Sequence, residues 1–160
     1  EAKNLTLNYT SNLSLNLDKF ISYIPKFKKI RMNVSIDGYK ERNDYIRFGS
    51  KFDDIMDNVV KLKQHCEVNI YYTVSILSVF SVDKIDANDY NIVDTPNFLS
   101  VRHLPDNIKQ KLNVTGKVLS ELNKPRDELQ WQKAVRYIRD LDKTRKIKAK
   151  DIFTELRDYL

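Results

Sequence analysis

The residues best suited to chemistry follow a predicted strand in the N-terminal half of the chain. Ser35 lies near the end of this strand, Asp37 and Gly38 form a turn pair after it, and Arg47 follows in a polar stretch. A serine hydroxyl and a guanidinium group are suitable partners for an amino-acid carboxylate, because arginine binds carboxylates through two parallel N–H donors. These residue types therefore predict a site for a ligand that carries a carboxylate.

The elements that must position these residues alternate between strand and helix patterns. Strand patterns cover residues 5–10, 30–36 and 68–75, and helix patterns cover residues 18–27 and 52–62. Strands that alternate with helices predict a parallel sheet with right-handed crossovers. Ligands of such sheets bind at the carboxyl ends of the strands, which is where Ser35, Asp37 and the loop to Arg47 would lie.

Three strands and about two helices cannot close a barrel, so open sheet edges are expected. We predict an α/β fold in which residues 1–82 form a partial (β/α) barrel of parallel strands. Residues 83–160 would form an α-rich extension, with short strands at 90–93 and 98–101 before a series of helices. The polar stretch 39–50 has no clean period and is predicted to be a functional loop.

The segment around the candidate site resembles the fifth-strand region of radical SAM enzymes of the SPASM and twitch type. In that family a strand ending in Ser-Ile/Leu-Asp-Gly is followed by a loop with a fixed arginine and then by a helix. The matching residues here are Val34-Ser35-Ile36-Asp37-Gly38, Asn43-Asp44-Tyr45-Ile46-Arg47 and Gly49-Ser50, with residues 52–63 in the place of the helix.

Two further segments extend this resemblance over most of the chain. Thr10-Ser11-Asn12 is similar to a shifted form of the Thr-Asn-Gly segment that closes the family's fourth strand. Leu141-Asp142, Arg145 and the helix after them resemble the short C-terminal element of phage-like twitch-domain proteins.

The resemblance implies a binding site for S-adenosylmethionine. Ser35 and Arg47 would bind its carboxylate, and Thr10 and Asn12 would face its ribose or methionine end. Asp37 is expected to stabilise the turn after the strand. Gly38 is expected to adopt a positive φ there.

Complete members of the family also bind a four-iron four-sulfur cluster through a Cys-x-x-x-Cys-x-x-Cys loop. That loop is absent from this chain, whose single cysteine is Cys66. The resemblance therefore implies the C-terminal portion of a radical SAM enzyme, acting on a peptide or protein. This portion would contribute residues that bind S-adenosylmethionine but no cluster ligands, and would be inactive alone.

Charge supports an alternative function. The first 100 residues hold 13 basic and 13 acidic residues, whereas residues 101–160 hold 15 basic and 9 acidic ones. A basic nucleic-acid-binding module, or a scaffold without catalysis, is therefore the second hypothesis. Its phosphate contacts would come from Lys133, Arg136, Arg139, Lys143, Arg145, Lys146, Lys148 and Lys150.

On a purely structural interpretation, Ser35 and Asp37 mark a strand end and a turn, and Arg47 pairs with Asp44 or Asp53.

Several classes of protein are excluded by composition. The longest apolar run, residues 74–82, is shorter than the roughly 20 residues that span a membrane. One cysteine cannot close an intrachain disulfide or ligate a cysteine-based metal site, and three glycines cannot form a glycine-rich phosphate loop. We expect a cytoplasmic protein that has no signal segment. A second copy or a partner chain could cover the open sheet edge.

Overall fold

A computed structural model describes residues 2–14 and 16–160, and it contains a parallel four-stranded β-sheet. The strands are β1 (Thr6–Ser11), β2 (Lys29–Ile36), β3 (Glu67–Val74) and β4 (Asp89–Ile92), in the spatial order β1-β2-β3-β4. The α-helices are α1 (Asp18–Tyr23), α2 (Glu41–Ile46), α3 (Phe52–Lys63), α4 (Asp106–Lys109), α5 (Gly116–Leu122), α6 (Glu128–Asp142) and α7 (Ala149–Ile152). The predicted α/β class is confirmed.

The two faces of the sheet differ in polarity. Along β2 the buried residues alternate with exposed or half-buried ones, and the buried set is Ile30, Met32, Val34 and Ile36. The same alternation continues on β3, and both buried sets share one core with apolar residues of α3. The opposite face presents polar side chains such as Asn33, Ser35 and Thr73. The helix-covered face therefore holds the core, and the polar face is accessible to a ligand.

The sheet is open, with β1 and β4 at its edges. β4 lies in the segment 83–160 but pairs in parallel with β3 from the segment 1–82. Buried residues from both segments, from Leu13 to Leu156, also belong to one hydrophobic cluster.

Two predicted elements were wrong. The stretch 39–50 contains helix α2, because Tyr45 is buried against the C-terminal helices, a long-range contact that a six-residue pattern cannot reveal. Residues 98–101 form 3-10 turns and no strand, because the amides of Leu99 and Ser100 bond back to the carbonyls of Pro96 and Asn97. The strand predicted at 90–93 is confirmed as β4.

One aromatic contact and one ion pair attach the C-terminal segment to α2. Tyr45 of α2 packs edge-on against Phe153, with ring centroids 5.4 Å apart. Arg42 donates to both carboxylate oxygens of Glu155, at 2.8 and 3.0 Å. Helix α2 is therefore held between the sheet and the C-terminal segment. In the described part of the chain, every helix is too short or too polar to cross a membrane.

Candidate functional site at the carboxyl end of β2

Three of the residues singled out from the sequence meet at the end of β2. The Arg47 Nη2 group donates a hydrogen bond of 2.9 Å to the Ser35 hydroxyl. Arg47 Nε lies 2.7 Å from Asp37 Oδ2, so the guanidinium and this carboxylate form an ion pair. Ser35 also lies 3.4 Å from the Thr73 hydroxyl of β3. The structure therefore places Ser35, Asp37 and Arg47 together on the polar face, and Arg47 pairs with Asp37 and not with Asp44 or Asp53.

Asn43 is a fourth member of this cluster that the sequence did not single out for a role of its own. Its side chain is fully buried, and its Oδ1 accepts a hydrogen bond of 3.3 Å from the Asp37 backbone N–H. A lone asparagine in a short polar segment gives no sequence signal for such a contact. Only the packing of α2 against the end of β2 brings it here.

The cluster contains polar atoms that protein groups leave unsatisfied. Among the described residues, Asp37 Oδ1, Asn43 Nδ2 and Arg47 Nε are buried and have no hydrogen-bond partner. Arg47 Nε is close to Asp37, but its N–H is not directed along the contact. A buried polar group without a partner costs about 1–3 kcal/mol, so native structures retain such groups where a ligand, ion or water satisfies them. The cluster can therefore donate to one polar atom and accept from another.

The prediction of a positive φ at Gly38 was wrong. Positive φ values among the glycines occur at Gly49 and Gly116. Gly38 is required for a different reason, since a Cβ there would lie 2.8 Å from the backbone N of Asn43 and 3.0 Å from the carbonyl carbon of Arg42. The absence of a side chain lets the start of α2 approach the end of β2 closely, and this approach places Asn43 and Arg47 in the site.

The adjacent strand end contributes less directly. Asn12 and Arg47 both line a cavity of about 560 Å³. Asn12 Oδ1 accepts hydrogen bonds from the Ser14 amide and hydroxyl, so it also orders the turn after β1. Thr10 is exposed, pairs in register with Asn33 further back along the sheet, and does not line this cavity.

Two non-glycine residues with positive φ flank the site. Leu13, directly after Asn12, has a φ of 52°, and Lys40, directly before α2, has a φ of 50°. Such values are uncommon for residues with a Cβ and persist where the surrounding structure determines them, often at functional sites. Both lie just beyond the carboxyl end of a strand, Leu13 after β1 and Lys40 after β2.

A C-terminal clamp holds α2 in place; we use this name for Asp142 and Arg145 acting on Tyr45. The Tyr45 hydroxyl donates a hydrogen bond of 2.7 Å to Asp142 Oδ1, and Arg145 Nε donates one of 3.1 Å to the Tyr45 carbonyl. Burial, and then the hydrogen bond to Asp142, raise the pKa of the Tyr45 phenol well above its ordinary value. The phenol therefore stays protonated and remains a donor. Because Arg47 follows Tyr45 by two residues, the clamp also fixes the backbone from which the Arg47 side chain extends.

The cysteine lies away from this site. Cys66 directly precedes β3 and so lies at the amino ends of the strands, away from their carboxyl ends. Burial raises the pKa of its thiol, which favours the neutral form over a thiolate ligand. Within residues 2–14 and 16–160, no three His, Cys, Asp or Glu side chains are arranged to hold a metal ion. The described residues therefore do not fit an iron–sulfur cluster.

Comparison with known proteins adds no relative. No protein-family model, curated protein or solved structure matches this chain. The functional argument therefore depends on the geometry of the site.

Proposed function

We propose that this chain is the S-adenosylmethionine-binding C-terminal portion of a radical SAM enzyme that modifies a peptide or protein. Ser35 and Arg47 bind the carboxylate of the ligand, and Asp37 and Asn43 hold the guanidinium and the turn. The observation that carries the proposal is the hydrogen bond of 2.9 Å between Arg47 and Ser35 at the carboxyl end of a parallel strand.

The topology of the sheet supports the proposal. The strands are parallel and follow one another in spatial order, with apolar residues on the helix-covered face and polar residues on the other. A sector of a (β/α) barrel has this strand order, and its ligands bind at the carboxyl ends of the strands. A partial barrel is therefore the architecture that we propose for this open sheet.

The charge of Arg47 is compatible with a carboxylate ligand. A guanidinium has five N–H donors, and the contacts with Ser35 and Asp37 engage only two of its nitrogens. The hydrogen bond to Ser35 and the ion pair with Asp37 hold the guanidinium in place, so less rotamer entropy is lost when a ligand binds. The cost of this arrangement is that Asp37 neutralises part of the positive charge.

The chain supplies the binding groups and not the redox centre. S-adenosylmethionine provides the radical chemistry in a complete member of this family, and the cluster that reduces it would have to be held by residues outside this sequence. What Ser35, Arg47 and Asn12 do is bind and orient the amino-acid end of the ligand at the end of β2.

Equilibrium dialysis with two ligands tests the proposal. S-adenosylhomocysteine carries the amino-acid group, whereas 5′-methylthioadenosine lacks it, and neither carries a sulfonium charge. We expect the wild-type chain to bind S-adenosylhomocysteine about tenfold more tightly, since a charge-assisted hydrogen bond contributes about 1.5–3 kcal/mol. In Arg47→Ala this preference should disappear.

The control is Arg31→Ala, which removes an arginine from the same sheet face near the start of β2. Arg31 pairs with the exposed Glu67, so its loss should leave the preference unchanged. Equal binding of the two ligands by the wild-type chain, or an undiminished preference in Arg47→Ala, would refute the carboxylate assignment.

The nucleic-acid alternative remains a weaker proposal. Several cations of the C-terminal segment contact the protein itself: Lys143 pairs with Asp140, Arg139 donates to the Tyr159 carbonyl and Lys148 donates to the Asp142 carbonyl. These contacts leave fewer of the eight cations free to meet phosphates.

A further inference from the structure

The loop after Arg47 exposes a large apolar side chain beside the candidate site. Phe48 is 61% exposed, and the following Gly49 has a φ of 91°, which a residue with a Cβ rarely adopts. The Arg145 guanidinium lies 4.5 Å from the centroid of the Phe48 ring. Arg145 is in turn fixed by its hydrogen bond to the Tyr45 carbonyl. The exposed ring is therefore held in position by the clamp.

Phe48 and Arg145 form a wall between two cavities. The first cavity, of about 560 Å³, contains Asn12 and Arg47 of the candidate site. The second, of about 460 Å³, lies on the other side of the wall. Its apolar lining comes from Tyr45, Phe48, Ile147 and Ile152. Ile147 is 53% exposed, so the second cavity has apolar surface at its rim as well as inside. A molecule that extends from Arg47 across Phe48 would reach it.

The charge around the second cavity favours an anionic occupant. The segment 143–148 has four basic residues among six, and two of them, Arg145 and Lys146, line the cavity together with Lys51. Glu41 and Asp44 also line it, so three cations face two carboxylates. The lining therefore has a net positive charge, which favours a negative group.

We propose that the two cavities form a groove that binds an acidic peptide segment. One large apolar side chain of the peptide enters the cavity beside Ile147, and its carboxylates contact Arg145 and Lys146. This inference rests on the peptide substrate of the proposed function and identifies the class of peptide. An apolar pocket with charged groups at its rim is the usual design of a peptide anchor site.

The same surface fits a nucleic acid less well. A base would have to stack on Phe48, whose ring the Arg145 guanidinium already contacts. A nucleic acid also brings no aliphatic side chain for the cavity lined by Ile147 and Ile152. The experiment must therefore distinguish binding of a nucleic acid from binding of an acidic peptide.

Fluorescence anisotropy with the full chain tests the groove. The probes are fluorescein-labelled Gly-Asp-Leu-Glu-Asp-Gly, the same peptide with serine for leucine, the same peptide with lysine for each acidic residue, and fluorescein-labelled dT8. We expect the leucine peptide to bind about tenfold more tightly than the serine peptide, because burying a leucine side chain contributes about 1.5 kcal/mol or more. The lysine peptide and dT8 should bind more weakly still.

Two pairs of variants locate the binding. Phe48→Ala and Lys146→Glu should each weaken the leucine peptide about tenfold. The matched controls Leu129→Ala and Lys133→Glu change an exposed apolar and a basic residue on α6 and should have no effect. Equal affinities for the leucine and serine peptides, no binding at millimolar peptide, or tighter binding of dT8 would each overturn the inference. Since no S-adenosyl compound is present, such a failure leaves the Arg47 test of the proposed function intact.

Discussion

Replacing Asp142 by alanine should remove two buried hydrogen bonds at the C-terminal clamp and destabilise the folded chain. Asp142 Oδ1 accepts a hydrogen bond of 2.7 Å from the Tyr45 hydroxyl and one of 2.8 Å from the Ala149 amide. Both partners are buried, with Tyr45 4% and Ala149 0% exposed. One carboxylate oxygen therefore joins α2, the end of α6 and the start of α7.

The magnitude follows from the groups left behind. Hydrogen bonds to a charged acceptor contribute about 1.5–3 kcal/mol each, and solvent can reach part of the half-buried Asp142. We therefore expect Asp142→Ala to lower the free energy of unfolding by about 3 kcal/mol. Tyr45→Phe removes only one of the two bonds and should cost about 1–1.5 kcal/mol. For a chain of this length, 3 kcal/mol corresponds to a decrease in Tm of about 6–12 °C.

Urea denaturation followed by circular dichroism measures the difference. Asp140→Ala is the matched control, because Asp140 is exposed and pairs with the exposed Lys143, at 2.6 Å. Exposed pairs of this kind contribute about 0.5 kcal/mol or less. If Asp142→Ala is no more destabilising than Asp140→Ala, the clamp does not hold α2, and its support of Arg47 has no basis.

Two further predictions concern packing and pH. Gly38→Ala should destabilise the chain by about 1–3 kcal/mol in the same urea assay, because its Cβ would meet the Asn43 amide at 2.8 Å, and wild-type stability in this variant would contradict the close approach of α2. Burial, and then Arg102, lower the pKa of His103 below its ordinary value near 6.5, so the folded state holds this ring neutral while the unfolded state takes up a proton. The contribution of neutral His103 to the free energy of unfolding is complete above about pH 6.5 and is lost as the pH falls from there towards the folded pKa. The decrease in stability between pH 7.5 and 5.5 should therefore be smaller in His103→Asn than in the wild-type chain. His65→Gln alters an exposed histidine and should show the same decrease as the wild-type chain. An equal decrease in all three proteins would rule out His103 as its source.

The local pattern of the chain predicted β1 to β4, together with a strand at 98–101 that does not form. The alternation in β2 and the β-branched run of β3 depend on nearest neighbours along the chain, so their period appears in the sequence. Parallel pairing then follows from strands that alternate with helices. The position of a site at the carboxyl end of β2 follows from the same argument, since it needs only the direction of the strand.

The exact membership of the site could not be predicted in this way. Asn43 and Tyr45 belong to a short helix whose stability comes from contacts with Ile138, Asp142 and Phe153, about 90 to 110 residues later in the chain. Short helices are marginal by themselves, so tertiary packing decides whether they form. The sequence could therefore not distinguish this helix from a loop.

The sequence by itself determined the residue types available to the site: a hydroxyl, a carboxylate and a guanidinium near one strand end, with a glycine beside them. Tertiary structure decided that Arg47 pairs with Asp37, that Gly38 serves close packing instead of a positive φ, and that Phe48 and Arg145 line two neighbouring cavities. The physical reason is range. Backbone periodicity is set by neighbouring residues, whereas ion pairs, close approaches and cavities depend on which distant segments pack together.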